Sequence, residues 1–93
     1  MAATVIEHRP QQQQFVLALE NGPCATVNYR KQDGKLYLIH AEVPSELRGH
    51  RVGKELVEKT FEYIETHGWQ AVAVCSYVKL VARRSRKWRD IIQ

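Results

Sequence analysis

The residues best suited to chemistry crowd together near the middle of the chain, in Arg48-Gly49-His50-Arg51-Val52-Gly53-Lys54. Arg48, Arg51 and Lys54 are cationic, His50 can become so, and Gly49 and Gly53 leave backbone uncovered. The stretch follows an extended apolar segment, Leu36 to Val43, and opens an amphipathic helix expected to run to about His67. The first amides of a helix have no partners inside it, and the helix dipole adds partial positive charge there. A strand, a basic glycine-containing turn and a helix start therefore form a generic anion site.

The surrounding elements must position that turn. Phe15 to Leu19 reads as a strand, with Phe15, Leu17 and Leu19 on one face. Asn21-Gly22 signals a tight turn into Cys24 to Tyr29, where Ala25, Val27 and Tyr29 share a face. Asp33-Gly34 signals a second hairpin turn. Along Leu36 to Val43, strict alternation places Leu36, Leu38, His40 and Glu42 on one face and Tyr37, Ile39, Ala41 and Val43 on the other. Pro44 has no amide hydrogen and ends the ladder. At about 100° per residue, Val52, Leu56, Val57, Thr60, Phe61, Tyr63 and Ile64 share the apolar half of the following helix. Gly53 falls within that half, where it is expected to let the helix press onto the sheet. Gly68 stops the helix. Trp69 to Cys75 reads as a buried fourth strand, and Ser76 caps a short helix to about Arg84 with Val78 and Val81 or Ala82 inward. Trp88, Ile91 and Ile92 are expected to pack the end of the chain down. Met1 to Arg9 is either a lead-in strand around Thr4-Val5-Ile6 or a loose tail.

The expected fold is α+β: an antiparallel β-meander, a crossover α-helix, a parallel fourth strand and a short C-terminal helix. It forms one domain over residues 1–93, with 1–13 as the lead-in. The crossover makes the third and fourth strands parallel neighbours and puts the basic turn at a strand's carboxyl end, where open sheets bind ligands.

Composition narrows the class. The 93 residues suffice for one core, and the apolar fraction of 44% is that of a folded chain. A net charge of +4 favours anionic ligands without implying nucleic acid. Cys24 and Cys75 provide no disulfide framework, and no Cys/His spacing suggests a metal. With no signal peptide and no apolar run near the roughly 20 residues that span a bilayer, a cytoplasmic, monomeric protein without membrane contact is expected.

The element order and the turn resemble the GCN5-related N-acetyltransferase (GNAT) superfamily. Its signature is Arg/Gln-x-x-Gly-x-Gly/Ala at the start of the crossover helix, matched here by Arg48-Gly49-His50-Arg51-Val52-Gly53. The flanking words His40-Ala41-Glu42-Val43-Pro44 and Cys75-Ser76-Tyr77-Val78 are similar to those of its very small single-domain branch. The resemblance covers Phe15 to the end. Arg51 departs from it, since the pattern has Gly there. Either the Arg51 amide still serves the cradle and its guanidinium adds a phosphate contact, or the side chain crowds the ligand.

The resemblance implies acetyl-CoA as cosubstrate and transfer of its acetyl group to an amine, carried by a small molecule or a protein. The pyrophosphate is expected on Arg48, Gly49, His50, Arg51, Val52, Gly53 and Lys54, and the pantetheine along Val43 in a gap between the third and fourth strands. Acyl transfer to an amine needs a base, carbonyl polarisation and a proton for the leaving thiolate. Cys75 is the candidate acyl-accepting nucleophile, or else a buried structural thiol. His40 and Glu42 are the candidate bases, with a partner-satisfied strand histidine as the plainer reading of His40. Tyr77 is the candidate acid, or a packing tyrosine. His8 and His67 carry no assigned role.

Lys79 to Gln93 contains six basic residues and one acid, Asp90, around Trp88. That run is a solvated face, a partner for the 3′-phospho-ADP end of CoA, or a nucleic-acid surface. No nucleic-acid-binding module is legible elsewhere, so nucleic acid is not expected. The alternative to an enzyme is a non-catalytic module that binds CoA or a partner.

Overall fold

A computed structural model describes residues 5–18, 24–45, 52–89 and 92. Five strands form one sheet in the order of the chain: β1 (Ile6–Arg9), β2 (Gln14–Ala18), β3 (Cys24–Gln32), β4 (Lys35–Glu42) and β5 (Gln70–Ala73). The first four pair antiparallel, and β4 with β5 is parallel across the crossover helix α1 (Val52–Thr66). Helix α2 (Ser76–Arg84) follows β5. The expected α+β architecture is therefore present. The lead-in strand forms at Ile6–Arg9 rather than Thr4–Ile6 and adds a fifth strand. Cys75 rather than Ser76 is the N-cap of α2, with extended backbone angles, and its carbonyl accepts from the Lys79 amide at 3.0 Å.

Local chemistry accounts for the element ends that are described. Asp33 and Gly34 both have positive φ, 54° and 78°, while Gln32 and Lys35 are paired. That is a two-residue hairpin turn whose twist matches the strands it joins. Gly68, at φ 68°, ends α1 in a Schellman motif. Its amide donates to the Glu65 carbonyl and the Trp69 amide to that of Ile64, both at 3.0 Å. The Asn21-Gly22 turn lies outside the described residues, as does Leu19.

A single face of the sheet meets both helices. Phe15, Leu17, Ala25, Val27, Leu36, Leu38 and Ala71 are buried against Leu56, Val57, Phe61 and Ile64 of α1 and Val78, Val81 and Ala82 of α2. Thr60, buried among them, donates its hydroxyl to the Leu56 carbonyl at 2.8 Å. Trp88 is buried beside Phe61, ring centroids 5.5 Å apart, and Ile92 is buried too. Trp88 is therefore a core residue, not a stacking platform for nucleic acid.

Strict alternation fails along β4. Asn28 pairs with His40 and Tyr29 with Leu38, which leaves Ile39 as the extra residue of a β-bulge. The bulge shifts the parity. Leu36 and Leu38 face the core before it, and Ala41 and Val43 pack against the core after it. His40 and Glu42, expected beside Leu38, instead face away from the helices and are exposed.

Candidate active site

The bulge coincides with the place where the sheet opens. β4 and β5 pair from Lys35–Gln70 to Leu38–Ala73. There the Leu38 carbonyl accepts two amides, Val74 at 3.0 Å and Cys75 at 2.9 Å. β5 then ends, and β4 continues to Glu42 paired with β3 alone among the described residues. One backbone edge of Ile39–Glu42 thus faces a gap, bounded on the other side by Cys75 and the start of α2. A free strand edge offers amides and carbonyls to an extended amide-containing ligand.

The first turns of the two helices meet beside this gap. A Cβ on Gly53 would lie 2.7 Å from the Tyr77 hydroxyl oxygen and 3.1 Å from the ring carbon that bears it. Gly53 therefore makes room for Tyr77, not for a close approach of α1 to the sheet as expected from its place on the wheel. The wheel records that a side chain is missing and cannot say which partner fills the space. Tyr77 is 39% exposed. Burial of the rest of the side chain, and secondarily the Glu58 carboxylate, hold its phenol above the ordinary tyrosine range. It stays protonated at neutral pH, so its hydroxyl holds a proton that it can share with an anion beside it.

Lys54, Glu58, Tyr77, Leu80 and Arg84 line a cleft of about 170 Å³ between α1 and α2. Glu58 was given no role in the sequence, and Arg84 was one of the six cations of the C-terminal run. Arg84 lies seven residues after Tyr77, two helical turns on, so helical spacing alone puts it on the same face. The remaining C-terminal cations divide. Lys79, Arg83 and Arg89 line a separate cleft beside β5, and Lys87 pairs with Glu65 at 3.6 Å.

The structure brings some of the expected residues together and separates others. Val43, Val52 and Cys75 pack against the edge of the core, and Gly53 and Tyr77 touch. His40 and Glu42 are on the opposite, helix-free face. Among the described residues no hydrogen bond joins Cys75 to His40, Glu42 or Tyr77. Arg48, Gly49, His50 and Arg51 lie outside the described residues. No group of three or more His, Cys, Asp or Glu among the described residues is placed to hold a metal. No helix among them is long and apolar enough to cross a membrane.

Comparison with known proteins settles the lineage of this arrangement. The family model of the GCN5-related N-acetyl-transferases matches residues 14–91. The chain belongs to this family. The solution NMR structure of a GCN5-like protein from Staphylococcus aureus superposes with a TM-score of 0.70 at 23% identity, over 96% of this chain and 87% of the other. At that identity the likeness extends to the fold alone. No curated protein sequence matches significantly.

Proposed function

We propose that the protein is an acetyl-CoA-dependent N-acetyltransferase. The observation that carries the reading is the parting of β4 and β5 after Leu38, which leaves the backbone of Ile39–Glu42 facing a gap that ends at Cys75. Family membership supplies the cosubstrate class. The residues fit that molecule. The free β4 edge up to Val43 suits the pantetheine amides. The turn from Arg48 to Lys54, with the start of α1, suits the pyrophosphate. Lys54 and Arg84, both on the α1–α2 cleft, supply further positive charge.

The roles follow from which side of the sheet each group occupies. Glu42, or His40, on the helix-free face takes the proton of the incoming ammonium. The neutral amine attacks the thioester carbon, the carbon–sulfur bond breaks, and the CoA thiolate receives the phenolic proton of Tyr77 from the helix side. The second proton shed by the new amide nitrogen leaves to solvent, from which Tyr77 is reprotonated. Acid and base thus approach from opposite sides and do not neutralise one another. The exposed face carrying His40 and Glu42 suits an acceptor on an open surface, a polyamine or a protein amine. A covalent route through Cys75 has its own support. Cys75 is the N-cap of α2 and sits at the end of the gap, its amide donating to the Leu38 carbonyl at 2.9 Å. In that route the Cys75 sulfur attacks the thioester carbon and its proton goes to the departing CoA thiolate. The amine then breaks the Cys75 thioester and gives a proton back to the Cys75 sulfur.

Titration with CoA and acetyl-CoA, followed by backbone amide NMR, tests the binding claim. Shifts confined to residues 43–54 and 75–77 are expected. No response at millimolar ligand would reduce the protein to a non-catalytic member of the fold. Initial-rate kinetics with spermidine and a lysine peptide separate the two routes. A sequential pattern with an active Cys75→Ala variant supports direct transfer, and a ping-pong pattern abolished by that substitution supports the covalent one.

A further inference from the structure

A second cleft lies at the other end of β4. Six rings converge there. His8 stacks on Phe15 at 4.6 Å and meets Trp69 edge-on at 5.3 Å, and its Nε2 is hydrogen-bonded to the Tyr29 hydroxyl at 2.5 Å. Tyr63 stacks on His67 at 4.2 Å, and His67 tilts against Trp69 at 4.7 Å. Phe15 and Tyr29 belong to the core, but the cluster does not close completely. It leaves a cleft of about 300 Å³, lined by His8, Gln13, Tyr29, Lys31, Leu36 and Trp69 among others. That volume is at the lower end of the roughly 300–1,000 Å³ of small-molecule sites.

The lining selects a ligand class. It presents three aromatic rings, one ammonium group and one side-chain amide, and no carboxylate. Lys31 is exposed and has no ion-pair partner among the described residues. Rings favour a planar aromatic guest at stacking distance, and an unpaired ammonium favours an anionic guest over a cationic one. We propose that this cleft is a second binding site, which takes a small planar aromatic ring carrying a carboxylate. Leu36, on its wall, lies on β4 before the point where β4 and β5 part, about 10 Å along an extended strand from Ile39. None of the cleft's lining residues belongs to the acyl-transfer gap, so the proposal stands independently of acetyl transfer.

The test uses the full chain and three probes of one shape: indole-3-carboxylate, indole and tryptamine. Binding is read from the Trp69 indole N–H and the His8 ring protons by NMR. Saturable shifts confined to the cleft are expected, with the acid bound about fivefold tighter than indole, as a partly exposed charge pair supports, and tryptamine weakest. Lys31→Gln, an exposed substitution, is expected to erase the preference for the acid while leaving indole binding unchanged. The proposal is overturned if the acid produces no saturable shift, if tryptamine binds as tightly as the acid, or if Lys31→Gln keeps the preference. Acetyl-CoA added to the same sample reports on residues 43–54 and 75–77, so failure at one site is distinguishable from failure at the other.

Discussion

The two ends of β4 are built on opposite terms. At its start, near Leu36, rings from β1, β2, β3 and α1 interlock around His8. At its finish, beyond the Ile39 bulge, the strand loses its neighbour on one side and carries polar residues outward. The first end is held by packed surface, so its side chains are hard to replace. The second is held by backbone hydrogen bonds to β3, so its side chains are free to serve a ligand. One strand can do both because the bulge changes which residues face the core halfway along it.

Substitutions should separate the two ends. Phe15→Ala removes a fully buried ring that touches His8, Tyr29 and Tyr63. A loss of about 3–5 kcal/mol is expected in denaturant unfolding, a large part of a small domain's stability. Tyr77→Phe, at the open end, is expected to lower kcat for acetyl transfer about 100-fold while shifting unfolding by less than about 0.5 kcal/mol. A similar stability loss for both would erase the contrast.

Gly53→Val tests where the ends of α1 and α2 meet. Its Cβ would fall 2.7 Å from the Tyr77 hydroxyl. A cost of about 1–3 kcal/mol is expected from the displaced ring. Combining it with Tyr77→Ala should recover part of that cost, a coupling of about 1 kcal/mol in a double-mutant cycle. Additive effects would mean that the contact does not constrain either residue.

The smallest expected effect is the pH response of the aromatic end. Burial, and then the neighbouring His67, hold the His8 imidazole below its ordinary value of 6.5. A lowered folded pKa means that the unfolded chain binds the proton more readily. The contribution of neutral His8 is fully present above about pH 6.5 and is lost as pH falls below it. Thermal midpoints should therefore drop between about pH 7 and 5, and His8→Gln should flatten that drop. An unchanged slope would take His8 out of the acid response.

Much of this architecture was legible in the residues. The hairpin at Asp33-Gly34, the stop at Gly68 and the apolar stripe of α1 are local signals, and each produced its element. The fold and the family followed from the element order and the Arg48–Gly53 signature. What was not legible involves partners distant in sequence. His8 looked incidental because its neighbours Phe15, Tyr29 and Trp69 reach it only through the sheet. Trp88 was expected to pack the end of the chain down, but nothing local shows that Phe61 is its partner.

The sequence by itself determined the elements, their order and the chemical types at the crossover, because these depend on spacing along one chain. Only the tertiary structure decided which face His40 and Glu42 occupy, since a bulge is a mismatch between two strands and leaves no mark on either alone. It also decided why residue 53 is glycine. The physical reason is a tyrosine hydroxyl, contributed from the far side of β5, in the space that a side chain would fill.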